Sequence, residues 1–162
     1  MVNDFQSTRQ TIVHPLEPIY NYQSKILILE SFLSVKTREY GFYYGHPQNR
    51  FWPLMSLLLD ESLPKNIDEK KDLLLKHGVA LYDAIYQCDI LGSSDASIQK
   101  VIPANLTDIV KETEIQRVFC NGTVSYQCYK KYHAPILKMD AFKLPSTSPA
   151  NASYLLSKLK QH

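Results

Sequence analysis

The chain has 162 residues, of which 44% are hydrophobic and 21% charged, and its formal net charge is +2. This balance is typical of a soluble globular protein, and no apolar run approaches the ~20 residues that cross a bilayer. The three cysteines are widely spaced, which argues against a disulfide framework and a zinc site. We expect a cytoplasmic protein, nucleoid-associated if bacterial, because the N-terminus lacks the apolar region of a signal peptide.

Polar residues and two prolines predict an irregular lead-in over residues 1–24, within a single domain spanning 1–162. Apolar residues at 26–29 predict a strand, within Lys25–Phe32, that is buried on both faces of an α/β sheet. A long polar and aromatic loop is expected at 34–48, and loops of that length are often functional.

The remaining predicted elements follow in chain order. They are a helix at 49–59, a helix at 68–76, an element of uncertain type at 78–88, a polar loop at 89–97, a helix at 104–112, a strand at 116–122, a helix at 123–132, a short strand from 141 and a closing helix at 152–162. Strands that alternate with helices predict an α/β fold with a mainly parallel sheet. Because ligands bind at the carboxyl ends of such strands, the loops 34–49, 89–97 and 144–151 are predicted to converge on one cleft.

Basic residues are concentrated toward the C-terminus. Residues 100–162 carry nine basic and four acidic side chains, whereas residues 1–99 carry nine basic and twelve acidic ones. This distribution is compatible with a phosphate-bearing partner and equally with a solvated lysine-rich surface.

The segment FYYGHPQNRFW, residues 42–52, combines aromatic rings with an amide side chain. Asn49 can cap the following helix, a role that does not exclude chemistry. The rings either cover the core or present flat apolar faces beside the amide, an arrangement that suits a nucleobase. Arg50 binds either a phosphate or a carboxylate within the fold.

Two further polar segments are candidate binding loops. LPSTSPAN, residues 144–151, carries three hydroxyls before a predicted helix, where they either join exposed amides on a phosphate or cap the helix. GSSDAS, residues 92–97, can equally place Ser94 or Asp95 as the cap of a short helix. The sequence has no nucleotide-binding glycine motif, no metal-ligand spacing among its histidines and no nucleophile elbow, so no cofactor and no metal are predicted.

Four segments together resemble the uracil-DNA glycosylase superfamily, and most closely its hypoxanthine-DNA (deoxyinosine) glycosylase branch, which is related to the mismatch-specific G/U glycosylases. They are FYYGHPQNRFWPLM, CDILGSSDASI, VFCNGTVSYQCYKKY and LPSTSPANA, in family order over nearly the whole chain from Lys25. The resemblance implies a three-layer αβα fold with a central, mainly parallel sheet. It also implies a monomeric, monofunctional DNA glycosylase that needs no cofactor. Its partner would be double-stranded DNA containing a deaminated base, hypoxanthine or uracil, which is flipped out of the stack before its N-glycosidic bond is hydrolysed.

The resemblance also implies roles for individual residues. Asn49 matches the Asn of the family's His-Pro-x-Asn motif, which makes it the expected main catalytic side chain, in contact with the base or the water. LPSTSPANA matches the second motif, which grips phosphates and enters the minor groove. The implied base pocket is Phe32, Tyr43, Tyr44, His46, Phe51 and Ser94, and the implied DNA-binding residues are Arg50, Ser146, Thr147, Ser148, Ala150 and Asn151.

The stretch ESFLS departs from the family's first motif. Phe32 stands where many members have a polar residue that positions water, Glu30 replaces a glycine, and Leu33 replaces a proline. A carboxylate at position 30 could crowd the pocket or repel DNA. The deoxyinosine branch also has Phe at this position, so only Glu30 and Leu33 support an alternative, a catalytically weakened or inactive protein that binds distorted DNA. A third hypothesis is a hydrolase that acts on free nucleosides.

Overall fold

The computed structural model describes residues 9–33, 35–46 and 48–147, which contain seven strands and six helices. The strands are β1 Arg9–Val13, β2 Ile26–Glu30, β3 Val79–Asp83, β4 Ile85–Leu91, β5 Ser94–Pro103, β6 Arg117–Asn121 and β7 Ala141–Leu144. The helices are α1 Val35–Tyr40, α2 Phe51–Leu58, α3 Ile67–Lys76, α4 Leu106–Lys111, α5 Thr123–Tyr132 and α6 Ala134–Leu137. The predicted closing helix at 152–162 lies outside the described residues.

Four strands form a parallel sheet in the order β3-β2-β6-β7. The apolar sequences of β2 and β3, ILILE and VALYD, suit strands covered on both faces, and every residue of β3 is buried. Helix α3 packs against β3, and α5 packs against β6 and β7. The predicted α/β fold, with helices flanking a central parallel sheet in three layers, is therefore confirmed.

A second sheet is antiparallel, in the order β1-β4-β5, and the sequence did not predict it. The lead-in is not irregular throughout, because β1 pairs with β4 along its whole length. The predicted polar loop at 89–97 and its helix cap are wrong. That segment is a β-hairpin whose turn contains Gly92 at φ +59°. Register shifts between β4 and β5 interrupt the regular alternation of side chains, which hid these strands in the sequence.

The predicted loop at 34–48 contains a helix, α1, which is a further correction. The helix has only six residues, VKTREY, and lacks the apolar periodicity that identifies a longer amphipathic helix. It is followed by Gly41, whose φ of +86° is a backbone conformation that favours glycine. The helices predicted at 49–59, 68–76, 104–112 and 123–132 are confirmed within about two residues as α2, α3, α4 and α5.

The hydrophobic core consists of two clusters. The larger one lies around the parallel sheet and includes the aromatic side chains of segment 42–52. The smaller one lies against the antiparallel sheet and is formed by Phe32, Ile85, Cys88 and Ile90. All three cysteines are free thiols. In the described part of the chain, no helix is long and apolar enough to cross a membrane.

Candidate active site

The carboxyl ends of the four parallel strands bring distant polar residues to one edge of the sheet. Glu30 of β2 pairs in register with Asp83 of β3, and Asn121 of β6 pairs with Leu144 of β7. The segments that follow β2 and β7 are the two that carry the predicted catalytic and DNA-binding motifs. Ligand sites in parallel α/β sheets lie at this edge, as the sequence analysis expected.

Asn49 and Thr147 meet at this edge, although 98 positions separate them in the sequence. The Thr147 hydroxyl donates a hydrogen bond of 2.9 Å to Asn49 Oδ1. The backbone N–H of Arg50 donates to the Thr147 carbonyl at 3.1 Å. The two motifs that carry the family resemblance are thus joined by a side-chain and a backbone hydrogen bond.

Asn121 anchors this junction to the sheet. Its Oδ1 accepts a hydrogen bond of 3.0 Å from the backbone N–H of Thr147. Its Nδ2 donates to Thr147 Oγ1 at 2.9 Å and to the Tyr44 hydroxyl at 3.2 Å. We call the residues Tyr44, Asn121, Thr147 and Asn49 the polar chain. Asn121 and Thr147 are 4% and 3% exposed, whereas Asn49 is half-buried, so the polar chain leads from the interior toward the surface.

Asn121 was not among the predicted site residues, because an Asn-Gly pair after a strand is typical of a turn. The backbone explains the pair. Gly122 has φ +98°, and a Cβ built there would lie 3.2 Å from Ser146 Cβ. Its N–H donates to the Leu144 carbonyl at 2.9 Å. A glycine therefore lets the 144–147 loop pack directly on the end of β6.

Asn49 also stabilises the beginning of α2. Its Oδ1 accepts a hydrogen bond of 2.9 Å from the N–H of Phe51, a group that has no partner within the helix. Arg50 occupies the cap position itself, so the predicted capping role is fulfilled from one residue further upstream. The loop before Asn49 is closed by a 3.0 Å bond from the Asn49 N–H to the His46 carbonyl. Helix start, turn and Thr147 together fix the side chain of Asn49.

Tyr44 supports the inner end of the polar chain. Its ring stacks on Phe51, with centroids 4.0 Å apart and planes 14° apart, and its backbone is left-handed with φ +54°. Burial, followed by the negative charge of Glu30, raises the pKa of Tyr44 well above its usual value of about 10. Its hydroxyl therefore stays protonated and neutral across the physiological pH range.

Three other predicted pocket residues make their contacts elsewhere. The Tyr43 hydroxyl donates to the Glu17 carbonyl at 2.7 Å, inside the larger core cluster. Phe32 belongs to the smaller cluster and meets the His14 ring edge-on at 6.0 Å. Ser94 is exposed at the hairpin turn. Among the predicted pocket residues, the described contacts bring Tyr44, His46 and Phe51 to Asn49, because these share its loop and helix start.

The hairpin turn nevertheless meets the segment that precedes Asn49. Arg38 of α1 donates to the Gly92 carbonyl at 2.7 Å, and the Val35 N–H donates to Ser93 Oγ at 2.8 Å. Segment 34–49 thus contacts both of the other loops that the sequence analysis expected at the cleft.

Glu30 lies beside the polar chain. Its Oε1 accepts a hydrogen bond of 2.9 Å from the N–H of Ser31, and the side chain is half-buried. Its charge contributes to the raised pKa of Tyr44. It also contributes to the raised pKa of Cys120, about 12, for which burial is the main cause. The Glu30 carboxylate therefore acts electrostatically on this edge of the sheet.

The predicted DNA-binding residues are described only in part. Arg50 and Ser146 are half-buried beside the junction, whereas both polar groups of Thr147, its hydroxyl and its N–H, are bonded inside the protein. Ser148, Ala150 and Asn151 lie outside the described residues. Within the described part of the chain, no group of three or more His, Cys, Asp and Glu side chains could hold a metal ion.

Comparison with known proteins adds independent findings. No protein-family model matches the chain. It is 29% identical over 150 residues to a hypoxanthine DNA glycosylase of Methanosarcina barkeri, covering 87% of this chain and 89% of that protein. It is 28% identical over 141 residues to a hypoxanthine DNA glycosylase of Methanosarcina acetivorans, covering 84% and 86%.

The fold comparison agrees with the sequence comparison. The solution NMR structure of a candidate uracil DNA glycosylase from Methanosarcina acetivorans matches with a TM-score of 0.76 and 24% identity, over 94% of this chain and 96% of that one. The fold is therefore that of a uracil-DNA glycosylase. The predicted resemblance is confirmed, because the chain is similar in sequence to hypoxanthine DNA glycosylases over most of its length and similar in fold to a candidate uracil DNA glycosylase.

Proposed function

We propose that this protein is a DNA glycosylase that removes hypoxanthine from DNA, with uracil as a second substrate base. The observation that carries the proposal is the junction of Asn49 and Thr147. It joins the two motifs shared with the glycosylases at the edge of the sheet where α/β proteins bind ligands. The similarity to two hypoxanthine DNA glycosylases over most of the chain supports the same activity.

In the proposed reaction the target nucleotide leaves the duplex, because its glycosidic bond is inaccessible within the stack. The bond from C1′ to the base nitrogen breaks, so the sugar gains oxocarbenium character and the base gains negative charge. A water molecule then adds to C1′ and loses a proton while the departing base gains one, which leaves an abasic sugar and the neutral free base. Asn49 supplies a fixed polar group at this centre, and preorganised groups of that kind stabilise charge that develops in a transition state.

The DNA contacts are proposed for the same edge. Arg50 and Ser146 flank the junction, and the sequence continues into Ser148, Ala150 and Asn151 of the second motif. Contacts to phosphates position a protein on DNA without selecting the base. We therefore expect these residues to determine affinity for DNA and Asn49 to determine the rate of base release.

The test uses duplex oligonucleotides that each carry one inosine, uracil or xanthine opposite each normal base. The protein is incubated with each duplex, and the products are analysed with and without hot alkali. Strand cleavage at inosine that depends on alkali is the expected result, because a monofunctional glycosylase leaves an intact strand with an abasic site. Absence of an abasic product from every deaminated base would disprove the proposal. Cleavage of free inosine, in a parallel reaction, would instead support a nucleoside hydrolase.

Glu30 favours a second candidate function, a protein that binds distorted DNA without cutting it. Its negative charge lies at the proposed DNA-binding edge and influences Tyr44 of the polar chain. This function predicts binding to an inosine duplex with no product, and base release by a Glu30→Gly, Leu33→Pro variant. Base release by the unmodified protein would exclude it.

A further inference from the structure

The hydrogen bonds of the polar chain fix which end of the Asn49 amide faces outward. A backbone N–H can only donate, so the Asn49 atom bonded to the Phe51 N–H must be the oxygen. The same reasoning applies to Asn121, whose oxygen faces the Thr147 N–H at 3.0 Å. Two backbone groups thus determine the orientation of two side-chain amides.

The direction of the Thr147 hydroxyl follows from these orientations. With its oxygen toward the Thr147 N–H, Asn121 presents Nδ2 to Thr147 Oγ1 at 2.9 Å. The hydroxyl oxygen accepts that bond, so its single proton is available for Asn49 Oδ1, 2.9 Å away. Donation consequently runs in one direction, from Asn121 through Thr147 to Asn49.

From this direction we infer that Thr147 and Asn121 are positioning residues that make the Asn49 amide a hydrogen-bond donor toward the departing base. The inference rests on the proposed function. The oxygen of Asn49 is occupied by two internal donors, Phe51 N–H and the Thr147 hydroxyl. With the oxygen occupied, the NH₂ group is the end of the amide that remains for a ligand.

The reaction chemistry indicates that the departing base accepts the hydrogen bond from the Asn49 NH₂ group. Negative charge builds on the base as the glycosidic bond breaks, and a preorganised N–H stabilises it. The Asn49 amide is not placed to accept a hydrogen bond from the attacking water, because its oxygen already accepts two hydrogen bonds and its NH₂ group can only donate. Donation into the Asn49 oxygen also polarises the amide, which strengthens its N–H groups as donors.

The second motif therefore has a role besides contact with DNA. Thr147 was expected to bind a phosphate, yet the hydroxyl that would do so is 2.9 Å from the catalytic amide. Its effect on the reaction is transmitted through Asn49, so removing the hydroxyl should matter only while Asn49 is present.

A double-mutant cycle of Thr147→Val and Asn49→Ala tests this coupling by single-turnover base release from an inosine duplex. Thr147→Val keeps the shape and removes the hydroxyl, and we expect about a tenfold loss of rate, the effect of one hydrogen bond. In the Asn49→Ala background the same change should alter the rate less than about twofold, because coupled residues are not additive. Thr147→Ser restores the hydroxyl and should recover most of the rate.

Two further variants separate positioning from stability. Thr113→Val is the matched control, because it removes a Thr hydroxyl that lies just after α4 and donates to the Ile109 carbonyl at 2.8 Å. It should leave base release unchanged. Asn121→Asp retains an acceptor for the Thr147 N–H and replaces the Nδ2 donor by an acceptor. The Thr147 hydroxyl should then turn to the new carboxylate and away from Asn49, and the rate should fall although Thr147 is intact.

The outcomes distinguish this inference from the proposed function. If the unmodified protein releases no base, the proposed function and the inference both fail. If it releases base and the effects of Thr147→Val and Asn49→Ala are additive, only the positioning roles are wrong. Should Thr147→Val not fold, as judged by circular dichroism, an unchanged rate in folded Asn121→Asp overturns the inference and a lowered rate supports it.

Discussion

Two sets of hydrogen-bonded polar side chains lie at the carboxyl ends of the parallel strands. They differ in the side chains that form them and in how far they are exposed. At the end of β3, His14 Nε2 lies 2.9 Å from Asp83 Oδ2, and the two side chains are 0% and 1% exposed. At the ends of β6 and β7, the polar chain consists of uncharged side chains and ends at the half-buried Asn49.

The two sets of polar side chains have different roles, one in the stability of the fold and one in the proposed function. The His14–Asp83 pair is sealed, and the second ring nitrogen of His14 bonds to the backbone of Leu16, so the pair ties the lead-in to the sheet. The polar chain costs less to desolvate, because it carries no formal charge, and it has an open end. A sealed pair stabilises the fold, whereas an open chain can hold a side chain toward a ligand.

The largest expected effect on stability comes from breaking the sealed pair. His14→Ala leaves the Asp83 carboxylate buried without its partner and should lower the free energy of unfolding by about 3–5 kcal/mol. Urea unfolding monitored by fluorescence measures the loss. Base release by the fraction that remains folded should be close to that of the unmodified protein. A loss of less than about 1 kcal/mol would show that the pair contributes little to the fold.

A substitution of Asn49, at the outer end of the polar chain, should affect the rate of base release much more than stability. Asn49→Ala should lower single-turnover base release at least about 10²-fold, the cost of one preorganised donor, with little change in affinity for DNA. Its stability should fall only about 1 kcal/mol, from the lost bond to the Phe51 N–H.

Asn49→Asp separates the two roles of Asn49, since it can accept from Phe51 but has no amide donor. It should restore stability without restoring the rate. Near-normal base release by folded Asn49→Ala would mean that Asn49 only stabilises the beginning of α2.

The sequence predicted the parallel sheet for a clear physical reason, whereas the catalytic role of Asn49 comes from the family resemblance and stays a prediction. Continuous apolar runs identified β2 and β6, and a specific motif identified Asn49. The antiparallel sheet was not predicted, because the register shifts between β4 and β5 interrupt the alternation of apolar and polar residues. Asn121 and the role of Thr147 could not be read from local patterns, because their hydrogen bonds join positions 26 and 98 residues apart. Tyr43, which was predicted to lie in the pocket, is buried and its hydroxyl donates to the Glu17 carbonyl, a tertiary contact that the local sequence does not show.

A smaller effect is expected where the polar chain enters the core. Tyr44→Phe keeps the ring stacked on Phe51 and removes the hydroxyl that accepts from Asn121. We expect a loss of about 1 kcal/mol in unfolding free energy, because Asn121 Nδ2 retains its bond to Thr147. The rate of base release should change much less than in Thr147→Val. An equal loss of rate would show that the whole polar chain, rather than its outer end, orients Asn49.

The smallest expected effect is on the pH dependence of stability. It comes from His133, which contacts the residue after Asp83. The buried ring of His133 has Nε2 2.7 Å from the carbonyl of Ala84, the residue after Asp83. Burial lowers the pKa of His133 below its usual value, although the bond to Ala84 acts in the opposite direction. The unfolded chain therefore binds a proton at higher pH than the folded chain does. Stability should fall as pH decreases through about 6.5, until the folded pKa is passed.

His133→Gln tests this contribution, because glutamine keeps an N–H donor for Ala84 and does not titrate. Urea unfolding between about pH 7 and pH 5.5 should show a shallower loss of stability in the variant than in the unmodified protein. Identical slopes would assign the pH dependence to other groups.

The position of β7 links catalysis to local opening of the chain. β7 has four residues and, among the described strands, pairs only with β6, so it forms the margin of the parallel sheet while β2 and β6 lie inside it. Edge strands of this kind detach at a lower free energy than the whole domain unfolds. When β7 detaches, Thr147 leaves Asn49, although the core remains intact. Base release should therefore slow at a lower urea concentration than that at which the fluorescence of the core changes, which makes turnover a sensitive reporter of one four-residue strand.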